Sequence, residues 1–305
     1  MEAPLSTFGE ITVTIVKSSR TSWTGLLFVL PFLIVFIAMI VIPLIWGIYL
    51  SLHKVDLFGP GRFIGLENYV RLFSNKIFLQ TVINTFYFVL LTVPALTLIG
   101  MGLALALNKE SPVQNIVRGI FFSSTVLSVT VVTLIWRIIF IPNDGLMSNI
   151  FTAMDWQPIA FLSDPNWSLI SVAIATIWWC IGLPMMLFVA ALQQIPSDLY
   201  EAAAIDGARK WQRFYYITLP SITRTIILVI IIEIVMQFQL FGQALLMTQG
   251  GPNNSSRSIV MFIYDAGFRR WDVGTAAAAS QILFLLILVA AMAQFFVSRK
   301  KGASQ

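Results

Sequence analysis

Glu233 and Gln237 stand four residues apart inside the stretch from Ile222 to Met247, whose side chains are otherwise almost all apolar. Residues i and i+4 share a helix face. An ionisable group in an apolar run of this kind is a functional hypothesis by default. A carboxylate and an amide on one stripe can hydrogen-bond the hydroxyls of a polar solute; the same two groups can instead bond across helices as packing glue. Gln239 and Gln243 repeat the four-residue spacing farther round. A second polar and aromatic group, Thr176, Trp178, Trp179 and Cys180, lies in the apolar run from Leu169 to Leu192. Indole faces can stack on the C–H face of a sugar ring, or simply pack. Thr125 and Ser128 add hydroxyls, which in apolar helices also bond to their own backbone. Asn84 reads as structural, and His53 as a residue of the membrane interface.

None of this is catalytic equipment. The sequence holds no HExxH and no GxSxG, and its single histidine and single cysteine cannot build a metal cluster or a disulfide. The formal charge of +5 does not point to nucleic acid, because no basic patch interleaves with aromatics. Basic residues flanking membrane segments account for it more simply.

The elements that must position these side chains are membrane spans. Of the 305 residues 58% are hydrophobic and only 11% charged, with mean hydropathy +0.85; soluble domains carry roughly 25% charged residues. A span needs about 20 mostly apolar residues. Six stretches qualify, from about Trp23 to Leu50, Phe78 to Leu107, Gly119 to Ile141, Leu169 to Leu192, Ile222 to Met247 and Thr275 to Val297. Helices are expected, because every backbone group must be satisfied inside lipid. The expected fold is thus an all-α integral membrane protein of six transmembrane helices. Residues 1–22 form an N-terminal segment, 23–298 the transmembrane domain and 299–305 a basic tail. The run after Lys17 and Arg20 is too long for a signal-peptide core and reads as a retained first span. Loops after the first, third and fifth spans carry Gly and Pro turns. Eleven of the nineteen Lys and Arg residues fall on the side of the two termini, including the RKK after the last span. That bias predicts both termini in the cytoplasm.

One segment breaks the pattern on the same side. Residues 196–220 read PSDLYEAAAIDGARKWQRFYYITLP, charged and helix-forming. Asp198 with Glu201 reads as a capping pair after Pro196, and Gly207 as a left-handed stop. A second short helix from about Lys210 to Ile217 is limited by Pro220. The narrow alanine face suits a shallow groove in a partner, with Glu201 and Asp206 offering anionic contacts; alternatively the pair packs on its own spans.

Glu201, Ala202, Ala203, Gly207, Ile217, Leu219 and Pro220 stand in the order of the EAA loop of bacterial ABC importer permeases, and the fuller DLYEAAAIDGA is similar to the carbohydrate branch that includes the maltose and glycerol-3-phosphate permeases. Gly65, Leu66, Asn68 and Tyr69 resemble that family's GLxNY, followed by Asn84 and Thr85. Thr248, Gly250, Gly251 and Pro252 resemble its TxGGP, and Phe238–Phe241 its span-five F-polar-x-F. The resemblance covers about residues 25–298, without the extra outer domain and extra N-terminal spans of the maltose permease.

The resemblance implies a permease subunit of an ATP-driven importer, carrying a sugar or sugar-like solute delivered by an extracytoplasmic binding protein. Glu201, Ala202, Ala203, Asp206 and Gly207 would couple it to a separate ATPase. Thr248, Gly250, Gly251 and Pro252 would dock the binding protein. The positions of Glu233 and Gln237 line the solute path in the family, and Gln239, Thr176, Trp179, Thr125 and Ser128 join them as candidates. No cofactor is expected on this chain: no GxxxxGK[ST] is present, so ATP and Mg belong to partner ATPase subunits. The expected partners are a second permease in a heterodimer, two ATPase subunits, the binding protein and membrane lipid. A polyol or glycerophosphate cargo is the alternative. A secondary transporter would instead show internal repeats and Gly- or Pro-broken helices in matching positions; the sequence shows no convincing repeat, and that reading leaves the charged segment 196–220 unexplained.

Overall fold

The structure, a computed structural model, describes residues 23–55, 61–109 and 111–302. The segment 1–22, with Lys17 and Arg20, lies outside the described residues. Among the described residues, four helices are long and apolar enough to cross a membrane: Leu27–Ser51, Lys76–Ala106, Lys210–Gln237 and Val273–Phe296. Two further helix pairs qualify only when joined across a bend, Pro112–Val126 with Val129–Ile139 at 102° and Ser168–Cys180 with Gly182–Gln193 at 43°. The all-α membrane architecture is as expected; the four helices and two bent pairs overlap the six expected stretches and make four spans, or six if each bent pair is one span.

By packing, the chain divides into Met1–Trp46 and Gly47–Gln305. The described part of the first unit is helical, and every side chain from Leu27 to Ile40 is exposed. A π-turn over Ile37–Val41 interrupts that helix.

In the second unit Lys76–Ala106 is the central helix. Thr81, Thr85, Phe88, Thr92, Leu96, Gly100 and Ala104 are buried along it, at the three- and four-residue spacing of one helix face. The buried hydroxyls of Thr85, Thr92 and Thr97 bond to the carbonyls of Thr81, Phe88 and Val93, each at 2.8 Å, so no hydroxyl is stranded in a medium without water. At Gly100 a Cβ would lie 3.1 Å from the Cβ of Pro184, and that closeness lets Gly182–Gln193 pack tightly against this helix. Arg118 bonds the Leu107 carbonyl through Nε at 2.9 Å and the Lys109 carbonyl at 3.1 Å, capping the helix C-terminus.

The third span is not one helix. Ser111 caps its start, with Pro112 in the first turn. Leu127 and Ser128 are then extended, and Ser128 becomes the cap of Val129–Ile139. The carbonyl freed at Leu127 accepts a hydrogen bond from the Trp179 indole Nε1 at 3.1 Å. Inside a bilayer a break survives only when its polar groups are satisfied in this way. The fifth span also departs from expectation. Its helix starts at Lys210, ends at Gln237, and resumes as Gly242–Met247. The Ser258 hydroxyl bonds the Leu240 carbonyl in the break. A Cβ at Gly242 would lie 2.9 Å from Val129 Cγ2, so the helix resumed after one break packs on the helix resumed after the other. Broken helices, unread in the sequence, are therefore present.

Two smaller expectations also fail. Pro220 does not end the short helix. A π-turn over Phe214–Thr218, with the Leu219 N–H bonding the Phe214 carbonyl, carries the helix across it, because the wider turn accommodates the missing proline N–H. His53 is buried; its Nδ1 lies 2.7 Å from the Tyr49 carbonyl, and its ring stacks on Tyr49 at 4.0 Å between centroids. It pairs with Phe63 in the short ribbon His53–Lys54 with Arg62–Phe63. Asn68 of the GLxNY motif donates to the Ser51 and His53 carbonyls at 2.8 and 3.0 Å, and the Tyr69 hydroxyl donates to the Ser51 hydroxyl at 2.8 Å.

Candidate functional site

The polar groups singled out in the sequence separate into three sites. At the first, Gln237 donates to Glu233 Oε2 at 2.9 Å, and both side chains are almost wholly buried. The Cys180 thiol faces the pair from the fourth span. Trp179 reaches Leu127, and Gly182 approaches the third span so closely that a Cβ would sit 2.7 Å from Thr125 Oγ1. Thr125 Oγ1 is itself buried without a partner. The bend between Cys180 and Gly182 thus sets Trp179 and Gly182 against Leu127 and Thr125 of the third span, while Cys180 faces the Glu233–Gln237 pair. Ser124 belongs here too: its hydroxyl lies 3.2 Å from the Trp179 carbonyl. Neither Ser124 nor Gly182 was singled out in the sequence. A glycine inside an apolar span was the available signal.

Three candidates lie elsewhere. Thr176 is fully buried, with its hydroxyl on the Val172 carbonyl at 2.8 Å. Ser128 is an exposed helix cap. Gln239 is exposed, bonds the Val235 carbonyl at 2.9 Å, and faces a groove lined by Val260, Ser280 and Phe284. The helix ends at Gln237, so Gln239 and Gln243 do not form the i, i+4 pair expected of a continuous span.

The second site is the loop after Met247. Gly250 takes φ +79°, open to glycine without strain. The Thr248 and Ser256 hydroxyls lie 2.7 Å apart, and Ser256 donates to the Gly251 carbonyl at 2.8 Å. Asn84 confirms its structural reading: its amide donates to the carbonyls of Asn254 and Arg257 at 2.7 and 3.0 Å. Thr85 accepts from the Ile259 N–H at 3.1 Å. Two side chains of the central span therefore hold the whole turn. Thr248 also lines a groove of about 610 Å³ that includes Arg137 and Ser163.

The third site is the helix Ser197–Ile205, which buries none of its residues. Glu201, Ala202 and Asp206 are exposed, Ala203 half-buried, and Ile205 is 87% exposed. The expected Asp198–Glu201 capping pair does not form; the N-cap is Pro196, with no side-chain bond. The cap belongs to the next helix, where Gln212 accepts from the Arg209 N–H at 2.7 Å. Gly207 takes φ +75°, as its left-handed reading requires. The Tyr200 hydroxyl, 2.9 Å from that of Thr218, ties the helix to the π-turn.

The chain is thus a helical membrane protein with an unpacked helix, Ser197–Ile205, and a glycine turn braced by the central helix. Residues 97–302 match the family described as binding-protein-dependent transport system inner membrane component, and the chain belongs to that family. It is 32% identical to the probable ABC transporter permease protein YurN of Bacillus subtilis, over 90% of this chain and 96% of that one. It is 31% identical to the lactose transport system permease protein LacF of Rhizobium radiobacter, over 91% and 94%. A bacterial ABC transporter that imports the acidic polysaccharide alginate contains a chain of the same fold, with TM-score 0.79 and 25% identity over 91% of this chain and 96% of that one. The family comprises ABC permease transport subunits rather than enzymes, and this chain is a multi-pass membrane permease of an ABC importer.

Proposed function

We propose that the chain forms half of the passage of an importer for a sugar or sugar-like solute, and that ATP drives it through the helix Ser197–Ile205. The observation that carries this reading is that helix: it buries no residue of its own and leaves Ile205 87% exposed. An apolar side chain so exposed beside Glu201 and Asp206 fits a partner's groove better than water. In this reading a separate ATPase subunit, which holds ATP and Mg, grips Glu201, Ala202, Ala203, Asp206 and Gly207. Closure of two such subunits reaches the spans through Tyr200, Thr218 and the continuous helix to Gln237. A binding protein docks at Thr248, Gly250, Gly251 and Pro252 on the opposite side, and a second permease completes the path. The termini and the Ser197–Ile205 helix face the cytoplasm. The solute passes the bend in the fourth span, meeting Glu233, Gln237, Trp179 and Thr125. The lactose carried by LacF supports a carbohydrate cargo.

The test is uptake and ATP hydrolysis by the assembled transporter in liposomes, with Glu201→Lys combined with Gly207→Pro in this chain. Membrane insertion should persist while solute-stimulated hydrolysis falls at least about tenfold, the loss that follows when a desolvated charge contact is reversed. Intact coupling would remove the role assigned to this helix. Uptake driven by an ion gradient without ATP would overturn the ATP-driven cycle.

A further inference from the structure

At the Lys76 end of the central span, opposite the end where Ala104 packs with Leu192 and Ile222, three guanidinium groups and a single carboxylate line one pocket. Asp265 is nearly buried; it pairs with Arg257 and, at 3.3 Å, with Arg269. Arg257 also donates to Asn254 Oδ1 at 2.8 Å, and its Nε is buried without a partner. Arg270 completes the set, its guanidinium 5.4 Å from the Phe262 ring centre. These groups line a pocket of about 330 Å³ that Asn75 closes. Asn75 caps the N-terminus of the 31-residue central helix, the end whose dipole favours negative charge.

One carboxylate does not balance three cations. Burial first, then the charges of Arg270 and Arg269, hold the Arg257 guanidinium below its ordinary proton affinity, and the lining itself, three guanidinium groups to one carboxylate, is short of negative charge. Bidentate guanidinium–carboxylate bonding is the strongest way to supply it. The pocket is continuous with the glycine turn through Arg257 and Asn254, which Asn84 anchors. Phe268, 67% exposed, and Trp271, 48% exposed, flank Arg269 and Arg270 in the sequence. Arginine beside exposed aromatics is the composition of a protein-binding hot spot.

We propose that this pocket receives an Asp or Glu side chain of the extracytoplasmic binding protein, with Arg269 and Arg270 closing on it above a base formed by Arg257 and Asp265. The proposal rests on the importer reading above and gives it a specific electrostatic anchor. Arg269 and Arg270 are exposed, so their replacement leaves the Arg257–Asp265 base in place.

The experiment uses the complete transporter in nanodiscs and measures ATP hydrolysis against the concentration of its cognate solute-loaded binding protein. Arg269→Ala with Arg270→Ala should raise the half-stimulating concentration about tenfold, and Arg269→Lys with Arg270→Lys by less than about threefold. The wild-type value should rise with salt and the double-alanine value far less. An unchanged concentration dependence in the alanine variant would overturn the anchor while leaving the importer reading intact. A shift seen only in anionic-lipid nanodiscs, and absent in zwitterionic ones, would overturn it in favour of a lipid headgroup. A wild-type transporter that no binding protein stimulates would overturn the importer reading and the anchor together.

Discussion

A carboxylate in an apolar span needs a donor, and Glu233 has one in Gln237 at 2.9 Å. The pair is buried, so its two roles are coupled: the groups proposed to meet solute also hold each other. Gln237→Leu removes the donor and strands the carboxylate, which should destabilise the protein by about 1–3 kcal/mol. Glu233→Gln keeps an amide–amide bond and should retain the wild-type thermal midpoint in detergent while changing uptake kinetics. Equal uptake by Glu233→Gln and wild type would remove the pair from the solute path. Trp179 supports the neighbouring break, because its indole N–H is the donor for the Leu127 carbonyl. Trp179→Phe keeps the ring and deletes the bond; a loss of about 1 kcal/mol is expected, within the range of polar contacts between membrane helices, read as a lower midpoint of thermal unfolding.

At the scale of elements, glycines set how closely the spans approach. A Cβ at Gly182 would stand 2.6 Å from the Phe121 carbonyl oxygen, a distance that real atoms do not tolerate. Gly182→Val should therefore push the third and fourth spans apart, at a cost of about 1–3 kcal/mol. The measurement is the urea or thermal midpoint of the purified chain, with Gly102→Val, a position with nothing within 4 Å, as the comparison. Gly207 works differently. Its φ of +75° with open space around it makes the restriction conformational rather than steric. Gly207→Ala should strain the turn by about 1–2 kcal/mol. Because that strain falls at the hinge of the exposed helix, the expected readout is weaker ATPase coupling with normal membrane insertion.

At the scale of the molecule, the described surface is unfinished. The first span exposes every side chain from Leu27 to Ile40, and the Ser197–Ile205 helix buries nothing. Such surfaces are stable only against lipid or protein. A partner that binds only the folded chain raises its apparent stability by mass action, about 2.7 kcal/mol at a hundred times its dissociation constant. Adding the ATPase subunits to the chain in detergent should therefore raise its thermal midpoint, and Glu201→Lys should abolish the rise.

The apolar runs and the EAA loop made the fold class and the transport role legible before any coordinates, because lipid demands long apolar helices and the loop carries the residue order of importer permeases. The left-handed Gly207 was readable for a local reason, as only glycine adopts that backbone freely. The breaks at Leu127–Ser128 and Phe238–Phe241 were not. Local propensity favours helix through both, and the donors that satisfy them, Trp179 and Ser258, come from distant segments. The same holds for the site around the bend in the fourth span. Glu233, Trp179 and Thr125 each looked like a polar residue in its own helix; only the tertiary structure set Trp179 on the Leu127 carbonyl and Gly182 against Thr125, and bonded Thr176 and Gln239 to carbonyls four residues back.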